Sequence, residues 1–383
     1  MAKKKTKFLA GIISVLVGAV GSFCVATYFT LPSTDEVYVS EEVYYSSEDS
    51  EPSFADMSSF DADISIHFLE LGNKYTGDCV FIQTDKADIL IDCGSKTNSI
   101  PIVAEYLNNY CQDGILEYVI VTHAHQDHYA GFATNTKTDS IFDLFECEVI
   151  IDFAMTNQSP TATTYSNYQR ELQDEVANGA QHFTALQCVE ETGGATKNFS
   201  IGDGITMTIL DSYYYTHSSS TENNYSVCVL ITQEISNNET RNFLFTGDLE
   251  ADGEEWLVEM NDFPQVELYK AGHHGSKTSS SEALMQVIQP EYVCVCCCAG
   301  SSEYTSTPEN QFPTQEFIDR VAPYTQKIFV TTLCVDYKNN EFTSFNGNIV
   351  FMSNAEEYAC FCSNNNTYLK DTEWFANNRT WPA

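Results

Sequence analysis

Positive charge is scarce in this 383-residue chain, where 18 Lys and Arg face 54 Asp and Glu for a formal net charge of −36. Four of those lysines, Lys3, Lys4, Lys5 and Lys7, precede the first apolar run, so the rest of the chain carries 14 basic residues against 54 acidic ones. Such a surface repels polyanions at long range and argues against stable non-specific nucleic-acid binding through phosphate contacts. It leaves phosphate chemistry at a metal site open, because bound cations dominate the local charge there.

Long apolar runs are also few. Phe8–Phe29 is 22 residues without a charge, long enough to span a bilayer as a helix, and the lysines before it favour a cytoplasmic N-terminus. Residues 1–30 are therefore expected to be a single-pass membrane anchor with the remainder outside the cell. A cleaved signal segment and a secreted protein is the alternative, disfavoured because Cys24–Phe29 lacks a convincing small-residue cleavage site. Lipid attachment at Cys24 is disfavoured by Phe23 before it. Residues 31–63 hold ten acidic residues and no Lys or Arg, the composition of a flexible acidic linker. No internal repeat stands out.

Histidine is rare too, at eight residues, and five of the eight fall in two short stretches. The first, Tyr118–Gly131, reads YVIVTHAHQDHYAG. A short buried strand empties into a loop where His123, His125, Asp127 and His128 follow H-x-H-x-D-H. Neutral imidazoles with a carboxylate suit zinc or a similar divalent ion, and a loop leaving a strand can aim alternate side chains at two adjacent ions. The second stretch, Gly272-His273-His274-Gly275-Ser276, also follows a strand, Val266–Ala271. Between them Arg241–Thr246 runs into Gly247-Asp248, which offers an oxygen able to bridge two cations.

The remaining pattern is strands, helix, strands, twice over. Ile64–Leu71, Cys79–Gln83 and Asp88–Asp92 are short strands joined by short turns, an antiparallel start, with His67 on a strand face. Pro101 opens a helix with Ile102, Val103, Tyr106, Leu107 and Tyr110 as its apolar stripe. Glu148–Phe153 is a strand, Tyr165–Asn178 a helix closed by Gly179, and Ile205–Asp211 and Tyr225–Glu234 further strands. Ser279 with Glu282 reads as a capping box. The chain is accordingly expected to be α/β, an αββα sandwich. Fourteen cysteines are present. Cys294, Cys296, Cys297 and Cys298 share one strand whose neighbours alternate faces, so they cannot form a mutual disulfide set and read as small buried residues, with a metal cluster as the alternative. Cys360 and Cys362 could be bridged to other elements.

The order Asp92-Cys93-Gly94, THAHQDH, TGD, HHGS resembles the metallo-β-lactamase superfamily of binuclear hydrolases, over roughly residues 64–352, leaving 353–383 as a C-terminal extension. HFLELG, NNYSVCVLI before LFTGDLE, YKAGHHGSKTSS, PTQEFIDRV and FNGNIVF are similar to the catalytic domain of ComEC-type DNA-uptake proteins and to extracellular choline-phosphate esterases. The resemblance implies two divalent ions, zinc with manganese as the alternative. His123 and His125 would hold the first, Asp127, His128 and His273 the second, with Asp248 between them. Asp92 would orient the histidine loop, and Asp127 and His274 would take part in catalysis. It implies hydrolysis of a small or polymeric phosphodiester; a lactone, thioester or β-lactam hydrolase, or a catalytically degenerate surface-binding domain, are the alternatives. Two departures bear on this. The histidine usual before the strand leading to Asp248 is missing from Glu222-Asn223-Asn224-Tyr225-Ser226, with His217 five residues earlier. Gln311-Phe312-Pro313 stands where a Gly-His-Pro is common.

Overall fold

Two eight-stranded sheets form the scaffold in the computed structural model, which describes residues 53–134, 138–236 and 239–382. The expected anchor and linker residues 31–52 lie outside the described residues. No helix among the described residues is long and apolar enough to cross a membrane.

The strands, in chain order, are β1 (Ile64–Phe68), β2 (Val80–Thr84), β3 (Asp88–Ile91), β4 (Ile115–Ile120), β5 (Glu146–Asp152), β6 (Gln181–Thr184), β7 (Asn198–Gly202), β8 (Ile205–Ile209), β9 (Val229–Glu234), β10 (Thr240–Phe245), β11 (Leu268–Lys270), β12 (Tyr292–Ala299), β13 (Lys327–Asp336), β14 (Glu341–Ser344), β15 (Ile349–Ser353) and β16 (Tyr358–Cys362). One sheet has the order β16-β15-β1-β2-β3-β4-β5-β6 and the other β14-β13-β12-β11-β10-β9-β8-β7. β1, β2 and β3 are antiparallel, as their short connections require, whereas β3 to β6 and β10 to β13 run parallel. Ligand-bearing loops leave the C-terminal ends of parallel strands, where α/β proteins place their sites.

Strand periodicity builds the sandwich. Along β10, Phe243 and Phe245 enter the core between the sheets, while Leu244 points to the opposite side. Phe68 stacks on Phe245 at 6.4 Å and Phe243 meets Phe351 at 5.5 Å across that core. Burying each such ring stabilises the fold by about 1.5–3 kcal/mol. β12 follows the same rule: Cys294 and Cys296 face the inter-sheet core, Cys297 the outer one, and all are buried free thiols. This agrees with their reading as small apolar residues.

Helices cover the outer faces. α1 (Ile100–Tyr110) buries Ile100, Val103, Ala104 and Leu107, while Ile102, expected in the stripe, is turned outward. The remaining helices are α2 (Gln126–Tyr129), α3 (Ile141–Leu144), α4 (Thr163–Asn178), α5 (Ala185–Glu190), α6 (Ala251–Met260), α7 (Glu282–Ile288), α8 (Gln315–Val321) and α9 (Glu373–Asn378). Gly179 ends α4 at φ 127°, a conformation costly for any side chain. The cap of α7 is Ser281, not Ser279, because the Glu254 carboxylate on α6 takes the Ser280 and Ser281 backbone N–H groups at 2.7 and 2.6 Å.

Two boundaries differ from expectation. Residues 53–63 of the expected linker pack on the domain, with Phe60 against Phe361 at 5.9 Å and the Asp63 N–H donating to the Ser353 carbonyl at 2.9 Å. Residues 353–383 are not an appendage: β16 is an edge strand paired with β15, and Arg379 donates to the Pro313 and Gln311 carbonyls at 2.8 and 2.6 Å.

Candidate metal centre

Loops from both sheets converge at one rim of the sandwich. The first follows β3, where Asp92 sits at φ 58° and is buried. Its Oδ1 accepts the Thr122 N–H at 2.7 Å, and its Oδ2 accepts Thr122 Oγ1–H and His128 Nδ1–H, each at 2.7 Å. Asp92 thus orients the loop after β4, the role the sequence suggested. Gly94 lets that loop close down, since a Cβ there would lie 1.6 Å from the Asp127 carbonyl oxygen.

His123 and His128 are fully buried and His125 stands at the start of α2, with its Nδ1 3.0 Å from His123 Nε2. The loop after β10 presents Asp248, whose N–H donates to Ser226 Oγ at 3.1 Å. The loop after β11 holds His273 and His274 in consecutive left-handed conformations, φ 45° and 55°. Each such residue costs on the order of 1–3 kcal/mol, a strain that clusters at functional sites.

Asp248 Oδ2 is the hub. His128 Nε2 lies 3.1 Å from it, His274 Nε2 3.3 Å, and His123 and His273 Nε2 each 4.0 Å. His274 Nε2 is also 3.4 Å from Asp127 Oδ2. His274 Nδ1–H donates to the Cys296 carbonyl at 2.9 Å, as His128 Nδ1–H donates to Asp92. Both rings therefore turn Nε2 to the hub, and neither Nε2 has a hydrogen-bond partner despite full burial. Buried polar atoms in native structures are nearly always satisfied, and imidazoles tethered through Nδ1 to carbonyl or carboxylate are the usual form of metal ligands.

The structure exchanges the roles expected for the two adjacent histidines. His274, buried and tied to Cys296, joins Asp127, His128 and Asp248, whereas His273 was expected there. His273 turns to the mouth, its side chain 22% exposed and its Nδ1 2.9 Å from Thr278 Oγ1. His123 Nε2 lies 4.0 Å from Asp248 Oδ2, with His125 Nδ1 beside it at 3.0 Å. Asp127 and His274, expected to act in catalysis, lie together beside Asp248, with His274 Nε2 3.4 Å from Asp127 Oδ2.

Several contributors escaped the sequence reading. Asp78 lies close to His128 and His274, but on their Nδ1 sides, at 3.7 and 3.1 Å. It ion-pairs with buried Lys270, so it braces the rings rather than facing a cation. Lys270 Nζ also donates to the Gly247 carbonyl at 3.0 Å. Tyr304, in the loop after β12, donates its hydroxyl to Asp127 Oδ2 at 2.5 Å. Lys270 directly precedes the AGHHGS loop, a signal that could have singled it out; Asp78 and Tyr304 lie in turns without a motif.

The segment lacking the usual histidine braces the site. Glu222 accepts from Ala124 N–H, Thr156 Oγ1–H and Asn157 N–H at 3.3, 2.7 and 2.6 Å. Asn223 Nδ2 donates to Glu250 Oε1 at 2.8 Å and lies 3.4 Å from His273 Nδ1. His217 stacks on Tyr213 at 3.8 Å and does not enter the site; His67 is a core residue bonded to Tyr106 and Ser65. Lys277 Nζ donates to Asn310 Oδ1 at 2.8 Å.

The electrostatics call for positive charge. Burial lowers the His128 and His274 imidazoles, but Asp248, then Asp92 and Asp78 beside His128 and Asp78 beside His274, outweigh it and push both up. Burial raises Asp248 and Asp127, and the surrounding imidazoles more than reverse it. Burial lowers His123, helped by His128, and brings His273 down to about 4. Divalent cations satisfy such a carboxylate-rich cluster in place of protons. The residues fit divalent metal binding.

Residues 72–137, which contain the histidine loop, match the model of the metallo-beta-lactamase superfamily. The chain carries a metallo-β-lactamase superfamily domain. It is 45% identical over 51 residues to ComE operon protein 3 of Bacillus subtilis (strain 168), a match covering 13% of this chain and 6% of that relative's length. The metallo-β-lactamase fold protein YhfI from Bacillus subtilis has 12% identity, 71% and 97% coverage of this chain and that one, and a TM-score of 0.39. A probable metal-dependent hydrolase from Staphylococcus aureus has 16% identity, 79% and 98% coverage, and a TM-score of 0.31. The two-sheet α/β architecture is of the metallo-β-lactamase type, and together with the ligand cluster it supports divalent metal binding and a metal-dependent hydrolase in general.

Proposed function

We propose that this chain is a binuclear, zinc-dependent phosphodiesterase displayed outside the cell from an N-terminal membrane anchor, with manganese as the alternative metal. The observation that carries the reading is the single carboxylate oxygen, Asp248 Oδ2, encircled by four imidazole Nε2 atoms from two loops. A carboxylate so placed is suited to lie between two cations. Two cations so held supply an acidified water and neutralise charge on both sides of a phosphoryl group.

The chain's own residues set the geometry. Asp92 and the Cys296 carbonyl fix the His128 and His274 tautomers, and Asp78 with Lys270 braces the rings from behind. His273, neutral and half-turned to the mouth, is a hydrogen-bonding group available to an incoming substrate. The sequence resemblance to ComEC-type DNA-uptake proteins supports a nuclease-like substrate, and that to choline-phosphate esterases a smaller ester; both contain the phosphodiester group. Anchoring rests on Lys3–Lys7 followed by the apolar run to Phe29.

Hydrolysis of bis(p-nitrophenyl) phosphate by the zinc- or manganese-loaded chain tests the reading. Asp127→Ala and His274→Ala should each abolish it while the fold is kept; full activity in either variant would overturn the assignment.

A further inference from the structure

The loop joining β12 to α8 packs against His273 and His274 at the mouth of the site. Tyr304 is 56% exposed, yet its hydroxyl is tied to Asp127 Oδ2 at 2.5 Å. Its ring meets Phe312 at 5.8 Å between centroids, and Phe312 in turn packs on His273 at 5.7 Å and His274 at 6.0 Å. Phe312 stands in the Gln-Phe-Pro that replaces a common Gly-His-Pro, so the imidazole donor of that pattern is gone and an apolar ring fills its place. Glu303 anchors the loop on the other side: its Oε2 accepts the Thr76 N–H at 2.9 Å and its Oε1 lies 3.7 Å from Lys96 Nζ.

We propose that Tyr304 is a substrate-binding residue: its phenol O–H donates to a non-bridging oxygen of the phosphoryl group bound beside Asp127, with Phe312 holding the ring in place. The inference rests on the phosphodiester reading of the site. The phenol has one proton, so with an anion seated next to Asp127 Oδ2 the O–H turns from that carboxylate to the anion within reach beside it. A phenol serves there as a donor that keeps its proton, and charge-assisted hydrogen bonds of this kind are about twice as strong as neutral ones. The exposed edge of the Tyr304 ring then lines the path by which the ester group enters.

The test compares the metal-loaded full chain with Tyr304→Phe, measuring inorganic phosphate binding by calorimetry, metal per chain, and hydrolysis of bis(p-nitrophenyl) phosphate. The variant should bind phosphate about tenfold or more weakly, with metal content unchanged and KM for the diester raised. Tyr304→Ala, which removes the ring as well, should bind phosphate no better than Tyr304→Phe. Unchanged phosphate affinity in Tyr304→Phe, or loss of metal from it, would overturn the proposal, the latter by showing that the phenol only supports Asp127. Absence of phosphate binding by the unaltered chain would overturn it too. Weakened phosphate binding in a chain that cleaves no diester would sustain the role of Tyr304 and defeat the phosphodiesterase reading instead.

Discussion

Lys270 Nζ lies 3.6 Å from Asp248 Oδ1, while the four imidazole Nε2 atoms face the other oxygen of that carboxylate, Oδ2. The lysine also pairs with Asp78 and is 98% buried. Burial lowers its ammonium, and the Asp78 and Asp248 carboxylates more than reverse the effect, so it is a fixed internal cation. One charge thereby bridges two carboxylates and leaves Asp248 Oδ2 facing the imidazoles.

Removing that charge leaves buried carboxylates uncompensated. Lys270→Met should destabilise the metal-free chain by about 3–5 kcal/mol, read from the urea midpoint. Adding Asp78→Asn to the variant should recover part of the loss. Equal midpoints for Lys270→Met and the unaltered chain would show the pair contributes nothing.

Asp92 acts through His128. Asp92→Ala frees the His128 ring and the Thr122 backbone, and metal affinity should fall about 10- to 100-fold, measured by competition with a chelating dye. An unchanged affinity would remove Asp92 from the positioning role.

Metal and protons compete for the same atoms. His128 and His274 are raised in the metal-free chain, so loading near neutral pH should release protons and apparent affinity should rise with pH. Calorimetry in two buffers of different ionisation enthalpy reads the release; identical heats would contradict it.

Glu254 gives a pH dependence away from the ions. Fully buried on α6, its carboxyl is raised from 4.5 to about 6, by burial first, with the Ser281 and Ser280 N–H groups opposing. The folded state then holds the proton more tightly than the unfolded one. The group's contribution to stability is complete below pH 4.5 and is lost as pH rises through about 6, an amplitude of roughly 2 kcal/mol. Urea midpoints between pH 4 and 7 should fall less steeply in Glu254→Gln than in the unaltered chain. Parallel profiles would rule out Glu254 as the source.

The sequence made the sandwich legible where periodicity is strong. β1 to β3 and the buried strand before the histidine loop needed no tertiary information, and Gly179 marked the end of α4. α6 was hidden because ADGEEWLVEM is acidic and contains Gly253, whose Cβ would lie 2.5 Å from Leu249 Cδ1. β16 and α9 were hidden because their stability comes from pairing with β15 and from Arg379, contacts between residues far apart in the chain. At the site, the ligand types could be read from spacing, but not which of two adjacent histidines turns inward. That depends on the left-handed turn at His273–His274 and on the Cys296 carbonyl that receives His274. Asp78, Lys270 and Tyr304 acquire their positions only when separate loops meet.

The central claim, two divalent ions joined by Asp248 with His274 as the inward histidine, is tested most directly by counting metal per chain after purification with zinc or manganese supplied. Two ions per chain are expected, falling to one or none in His274→Ala and remaining two in His273→Ala. No bound metal in the unaltered chain, or equal losses in the two histidine variants, would contradict it.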